Sequence, residues 1–210
     1  MKKISISTLI VILISTLSFS IKDSIKSIEI GTKAPMSSQK LKDISGNEYS
    51  LENLKKENGL LVVFSCNSCP FVVGNQKTEG WEGRYNEIYK IALSNNIGMT
   101  LINSNEAKRD GADSFDKMKE RSNKMNYKAS YLLDKNNVMA DAFGASTTPH
   151  IFLFNKDLKL VYKGAIDDNV DSKDMVKSKW LSDAITNLGL GKEINPSVTR
   201  NSGCSIKRKN

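Results

Sequence analysis

Apolar positions along this chain gather into short blocks separated by polar turns. The densest block, Leu60 to Phe64 (L-L-V-V-F), is uninterrupted and rich in branched side chains, so it predicts a strand buried on both faces. It stops at Cys66-Asn67-Ser68-Cys69-Pro70. Proline is at home in the first position of a helix, where its missing N–H costs nothing, so a helix with Phe71, Val72 and Val73 follows and Cys69 falls at its N-cap. Gly74, Gly80 and Gly83 interrupt that segment before a second helical stretch that runs from Trp81 or Tyr85 to Leu93.

The remaining blocks extend the alternation. Upstream, Ala34-Pro35 opens the organised part of the chain. An edge strand at Ser38 to Leu41, a turn at Asp43 to Asn47 and a helical turn from Ser50 to Leu54 follow. Downstream, Ile97 to Ile102 predicts a strand, Ser114 to Met125 a helix, Tyr131 to Leu133 a third strand, and Val138 to Phe143 a short helix stopped by Gly144. Ile151 to Phe154 and Leu158 to Tyr162, joined by Lys156-Asp157, predict an antiparallel hairpin. Met175 to Leu188 has the spacing of a closing amphipathic helix, and residues 191–210 form a polar tail expected to be flexible. Strands alternating with helices imply an α/β layered domain over residues 34–190, preceded by a polar lead-in at 21–33.

The first 20 residues carry Lys2 and Lys3, an uncharged and mainly apolar run from Ile4 to Phe19, and small residues at Ser18 and Ser20. This is the pattern of a secretory signal peptide cleaved near Ser20; an uncleaved anchor is the alternative. Export to the periplasm or the exterior, with no stable membrane span after cleavage, is the expectation. Such a compartment permits disulfides. The full chain of 210 residues has a formal net charge of +8. Its basic residues are scattered among acids, apart from Lys207, Arg208 and Lys209, so they describe a solvated surface and not a nucleic-acid interface.

Chemistry concentrates in few residues: three cysteines, Cys66, Cys69 and Cys204, and one histidine, His150. A thiol at a helix N-terminus meets free N–H groups and the positive end of the helix dipole, which favour the thiolate. Cys66 lies one turn earlier, within reach of a reversible disulfide with Cys69. Cys204, beside Gly203, is a second candidate partner. Trp81 and Trp180 read as packing residues. The expected oxidised form is mainly Cys66 to Cys69, with a minor species involving Cys204.

The order of these pieces resembles the thioredoxin fold, in its redoxin branch of peroxiredoxin and TlpA-like proteins. The resemblance is carried by G-T-K-A-P at 31–35, the D-x-x-G at 43–46, S-L-x-x-L at 50–54, the strand ending in cysteine, T-P at 148–149 and Y-K-G-A-I-D-D-N at 162–169. It implies a three-layer fold with a central mixed β-sheet flanked by helices and a redoxin-type N-terminal extension. It also implies a cis-proline at Pro149 facing the reactive thiol. Aligned on the family's strand phenylalanine, Phe64, the attacking thiol is Cys69. The usual second cysteine position then holds Val72, which leaves Cys66 or Cys204 to resolve.

The implied activity is thiol-disulfide exchange with polypeptide disulfide or dithiol partners. Cys69, Cys66 and Cys204 would do the chemistry, with Pro70, Thr148 and Pro149 at the binding surface and no cofactor. Three alternatives remain at this stage: a redoxin frame kept without activity as a binding module, a copper chaperone and a thiol peroxidase. Cys66, Cys69 and His150 resemble the copper ligands of Sco-type chaperones, so copper is a partner under that reading only. A thiol peroxidase would need proline seven and threonine or serine three residues before its cysteine. Here those positions hold Val62 and Cys66, or Gly59 and Val63. Arg84 and Arg109, candidates to position a peroxide, read instead as surface arginines.

Overall fold

The computed structural model describes residues 25–209, so the signal-peptide expectation for residues 1–20 lies outside the described residues. In chain order the elements are β1 (Leu41–Asp43), β2 (Glu48–Tyr49), α1 (Leu51–Leu54), β3 (Gly59–Ser65), α2 (Pro70–Val73), α3 (Tyr85–Ser94) and β4 (Ile97–Asn103). Then come α4 (Phe115–Met125), β5 (Ser130–Leu133), α5 (Val138–Phe143), β6 (Thr147–Thr148), β7 (His150–Asn155), β8 (Leu160–Gly164), α6 (Trp180–Gly189) and β9 (Cys204–Ser205).

Seven strands form one mixed sheet in the order β2-β1-β5-β4-β3-β7-β8. β3 runs parallel to β4 and antiparallel to β7, with Phe64 opposite both Ile102 and His150. Helices cover both faces, which is why β3 and β4 are buried along their whole length. Leu61, Val63 and Leu101 point into a core shared with Tyr85 and Ile88 of α3, Met118 of α4 and Leu181 and Ile185 of α6. Leu60, Val62 and Phe64 point the other way, toward Leu51 of α1 and Met139 and Phe143 of α5. The second core holds a set of edge-to-face aromatic contacts, Phe64 with Phe143 and Phe152, and Phe143 with Phe154. α5 ends as its sequence suggests: Gly144 takes the left-handed conformation, and the Lys26 carbonyl packs where a side chain would stand.

Several elements differ from the pattern-based reading, each for a local reason. The strand expected at Ser38 to Leu41 is β1, at Leu41–Asp43, and it lies between β2 and β5 and not at the edge. Its placement is fixed by Asp43, whose carboxylate accepts from the Tyr131 N–H at 2.9 Å. β8 starts at Leu160 because Leu158 sits in the turn with φ 55. The closing helix starts at Trp180: Met175 ends a 3-10 turn capped by Ser172, Val176 is extended, and Met175 is exposed, so the expected apolar stripe begins five residues too early.

Neither end of the domain is loose. In the lead-in, Ile28 N–H donates to the Phe143 carbonyl and Gly31 N–H to that of Leu160, while Lys163 Nζ reaches Ser27 Oγ at 3.1 Å. Past residue 191, where a flexible tail was expected, Thr199 N–H bonds the Lys163 carbonyl, Ile206 N–H the Ser146 carbonyl, and β9 pairs with β6. The tail's polar composition misled here: its backbone groups find partners on the sheet edge and in the loop before Pro149. Among the described residues no helix is long and apolar enough to cross a membrane.

Candidate active site

β3 delivers the chain to the site, and the turn that follows is held by a hub with no counterpart in the sequence reading. Asp113, fully buried, accepts from Asn67 N–H at 2.7 Å and Ser68 Oγ at 2.8 Å, the two residues between the cysteines. It also accepts from Asn103 Nδ2 at 2.8 Å and Asn105 Nδ2 at 3.1 Å, at the end of β4. Tyr131 of β5 donates its hydroxyl to Asn67 Oδ1 at 2.9 Å. Three separated stretches thus pin one turn, which locks the spacing of Cys66 and Cys69. Nothing local in the sequence marks Asp113, because its role exists only once β3, β4 and β5 lie side by side.

Cys69 is the N-cap of α2, with Pro70 at the first helical position, as the sequence predicts. The helix is a single turn, ended at Gly74. Its dipole is correspondingly short, and the nearer influence on Cys69 is other sulfur. The thiol of Cys66 hydrogen-bonds it, the Cys204 side chain and N–H also do so, and together they outweigh burial and hold the Cys69 pKa down at about 5. The reciprocal effect, together with burial, pushes the Cys66 thiol well above its ordinary range. Burial first, then the bond to Cys69, pushes Cys204 up to about 11. These contacts favour ionisation of Cys69 ahead of Cys66 and Cys204.

The Thr148-Pro149 peptide is cis, matching the cis-proline that the resemblance implied. Thr148 closes the other side of the site. Its Oγ1 is 3.1 Å from Cys66 Sγ, its carbonyl oxygen 3.2 Å from Cys69 Sγ, and Cys69 N–H donates to Cys66 Sγ at 3.2 Å. Cys204 joins them across 135 residues of chain, with its N–H 3.4 Å from Cys69 Sγ. All three cysteines are unlinked. The sequence-derived residues Cys66, Cys69, Pro70, Thr148, Pro149 and Cys204 thus meet at one place. Cys66 and Cys69 are almost wholly covered, at 1% and 4% exposure.

His150 does not join them as a ligand. Its ring is buried at the start of β7, stacked on Phe152 with centroids 4.5 Å apart, and Nδ1 accepts from the Ser146 N–H. Burial and nearby Lys163 lower its pKa to about 4, so it stays neutral. Among the described residues no three histidine, cysteine or acidic side chains are grouped as a metal site, and the Cys66-Cys69-His150 set of the copper reading is not assembled. The two arginines are also corrected. Arg84 is buried and paired with Asp167 at 2.7 Å, and Arg109 ties the carbonyls of Asn103, Asp113 and Asp134. Both brace backbone; neither is a free surface group.

This architecture, a mixed sheet between helix layers with thiols at the β3-α2 junction facing a cis-proline, is that of a thioredoxin-like protein. The Redoxin family model matches residues 29–178, and the chain belongs to that family. No curated protein matches it. Among solved structures, an uncharacterized conserved protein from Geobacillus kaustophilus is 28% identical with a TM-score of 0.75, over 86% of this chain and 93% of that one. A hypothetical protein from Sinorhizobium meliloti 1021 is 28% identical with a TM-score of 0.76, over 88% and 97%. The thioredoxin domain of a thiol-disulfide oxidoreductase from Bacteroides vulgatus, 19% identical over 66% and 90% with a TM-score of 0.51, shares the fold.

Proposed function

We propose that the protein is an exported thiol-disulfide oxidoreductase in which Cys69 is the attacking thiolate. One observation carries this reading: two further thiols converge on Cys69 and lower its pKa to about 5, opposite cis-Pro149. A thiolate that is ionised at neutral pH and backed by a protonated thiol is the arrangement needed to open a disulfide and then be released from it. In the first step Cys69 sulfur attacks one sulfur of a partner disulfide. A Cys69-partner bond forms, the partner S–S bond breaks, and the displaced thiolate takes up a proton. In the second, Cys66 or Cys204 loses its proton and attacks Cys69 sulfur, forming an internal disulfide and releasing the partner as a thiol. Two electrons pass from the chain to the partner.

Export, which the pattern of residues 1–20 supports, would keep such a disulfide from being reduced by cytosolic thiols. The test is insulin reduction under excess dithiothreitol by the wild type and by Cys69→Ser. The wild type is expected to accelerate precipitation and the variant to fall to the uncatalysed rate; equal rates would overturn the assignment.

A further inference from the structure

The thiol best prepared to react, Cys69, is almost wholly covered, and the chain's own strand β9 lies against it. β9 lies antiparallel on β6, with Ser205 opposite Thr147 and Cys204 opposite Thr148, directly before the cis peptide. This register sets the Cys204 thiol over Cys69, as the Cys204 N–H contact shows. On one side of it, Gly203 is pressed so close to the Thr148 carbonyl that a Cβ would overlap that oxygen. On the other, Ser205 is exposed and Ile206 is buried in the core on the α5 face. Main-chain bonds hold the strand at its far end, Ile206 N–H to the Ser146 carbonyl and Ala107 N–H to the Lys207 carbonyl, while Asn105 Oδ1 accepts from Lys207 N–H.

We propose that residues 203–206 are a tethered occupant that a polypeptide partner must displace to reach Cys69, and that the slot itself discriminates among partners. It selects an extended segment that reads small residue, half-cystine, any residue, aliphatic residue. Strand addition supplies affinity through backbone bonds, and alternate side chains supply selectivity. Here the glycine position admits nothing with a Cβ unless the strand shifts, and the isoleucine position rewards a branched apolar side chain. A tethered occupant competes at an effective concentration that a free partner must match. A partner whose disulfide is attacked by Cys69 is held covalently while its strand occupies the slot. The inference rests on the oxidoreductase reading for the chemistry after docking, though not for the docking itself.

The experiment uses the full chain, as wild type, Gly203→Val and Ile206→Asp. It measures site-resolved iodoacetamide labelling of Cys69 at neutral pH beside each melting temperature. Both positions lie outside the seven-stranded sheet, and both substitutions are expected to speed labelling by about tenfold or more with the domain still folded. A peptide spanning residues 200–209 with Cys204→Ser should slow it again, and the same peptide with Ile206→Asp added should not. Unchanged labelling in both folded variants, or equal protection by the two peptides, overturns the proposal. Insulin reduction by the wild type reports separately: a chain inactive on insulin but unmasked and peptide-protected keeps the slot and loses the oxidoreductase reading. An active chain whose labelling ignores tail and peptide does the reverse.

Discussion

At the scale of the residue, the acidity of Cys69 comes from what touches its sulfur. A free thiol titrates near pKa ~8.5, and burial alone would raise that value. The bonds from Cys66, and then from Cys204, more than offset burial and leave it at about 5. The sign follows. Between about 5 and the unfolded value, folding keeps Cys69 ionised where the unfolded chain protonates it. That contribution to stability is fully present above the unfolded pKa and is lost as pH falls through the folded one. Iodoacetamide labelling of Cys69 against pH should therefore rise through a midpoint near 5. Cys66→Ala, which removes the largest cause, should move the midpoint up more than Cys204→Ala does. A wild-type midpoint near the ordinary thiol value would show that the sulfur contacts do not stabilise the thiolate.

At the scale of the element, the turn from Cys66 to Cys69 is held by side chains from elements that sequence keeps far apart. Asp113 lies in the loop before α4, yet it binds both inner residues of the turn and both asparagines at the end of β4. A buried carboxylate with four donors loses several charge-assisted bonds when replaced. Asp113→Asn, which turns one acceptor into a donor facing donors, is expected to cost on the order of 3 kcal/mol in urea unfolding. As a positioning residue it should also shift the chemistry: with the turn loosened, the Cys66 to Cys69 bond weakens and the labelling midpoint moves up. Loss of stability with an unmoved midpoint would reduce Asp113 to a structural brace.

At the scale of the whole molecule, the pairing of β9 with β6 brings Cys204 to a thiol far away in sequence. A disulfide between Cys69 and Cys204 would span 135 residues, and in the chain-entropy model closing such a loop stabilises by about 5 kcal/mol. The tail is already docked without that bond, so Cys204→Ser should melt close to the reduced wild type. Because Cys69 is the member that both other thiols face, a disulfide map of the air-oxidised chain should show Cys69 joined to Cys66 or to Cys204. A map dominated by Cys66 to Cys204 with Cys69 free would contradict the geometry of the triad.

The amino-acid sequence by itself determined the elements whose cause is local. β3 is an unbroken apolar run; α5 is stopped by Gly144; Cys69 is an N-cap because Pro70 follows it. The order of such pieces was enough to imply the redoxin frame and a cis-proline at Pro149. The tertiary structure decided whatever depends on contacts between distant residues. Pairing of β9 with β6 turned a polar tail into the lid of the site, since backbone groups pair regardless of side-chain polarity. Sheet order placed Asp113 beneath the turn and gave Arg84 and Arg109 buried partners. The same packing left His150 neutral, with Nδ1 already engaged by the Ser146 N–H. Side-chain identity records what a residue prefers locally, but a pKa, a hub or a covered thiol depends on which remote atoms the fold brings within about 3 Å.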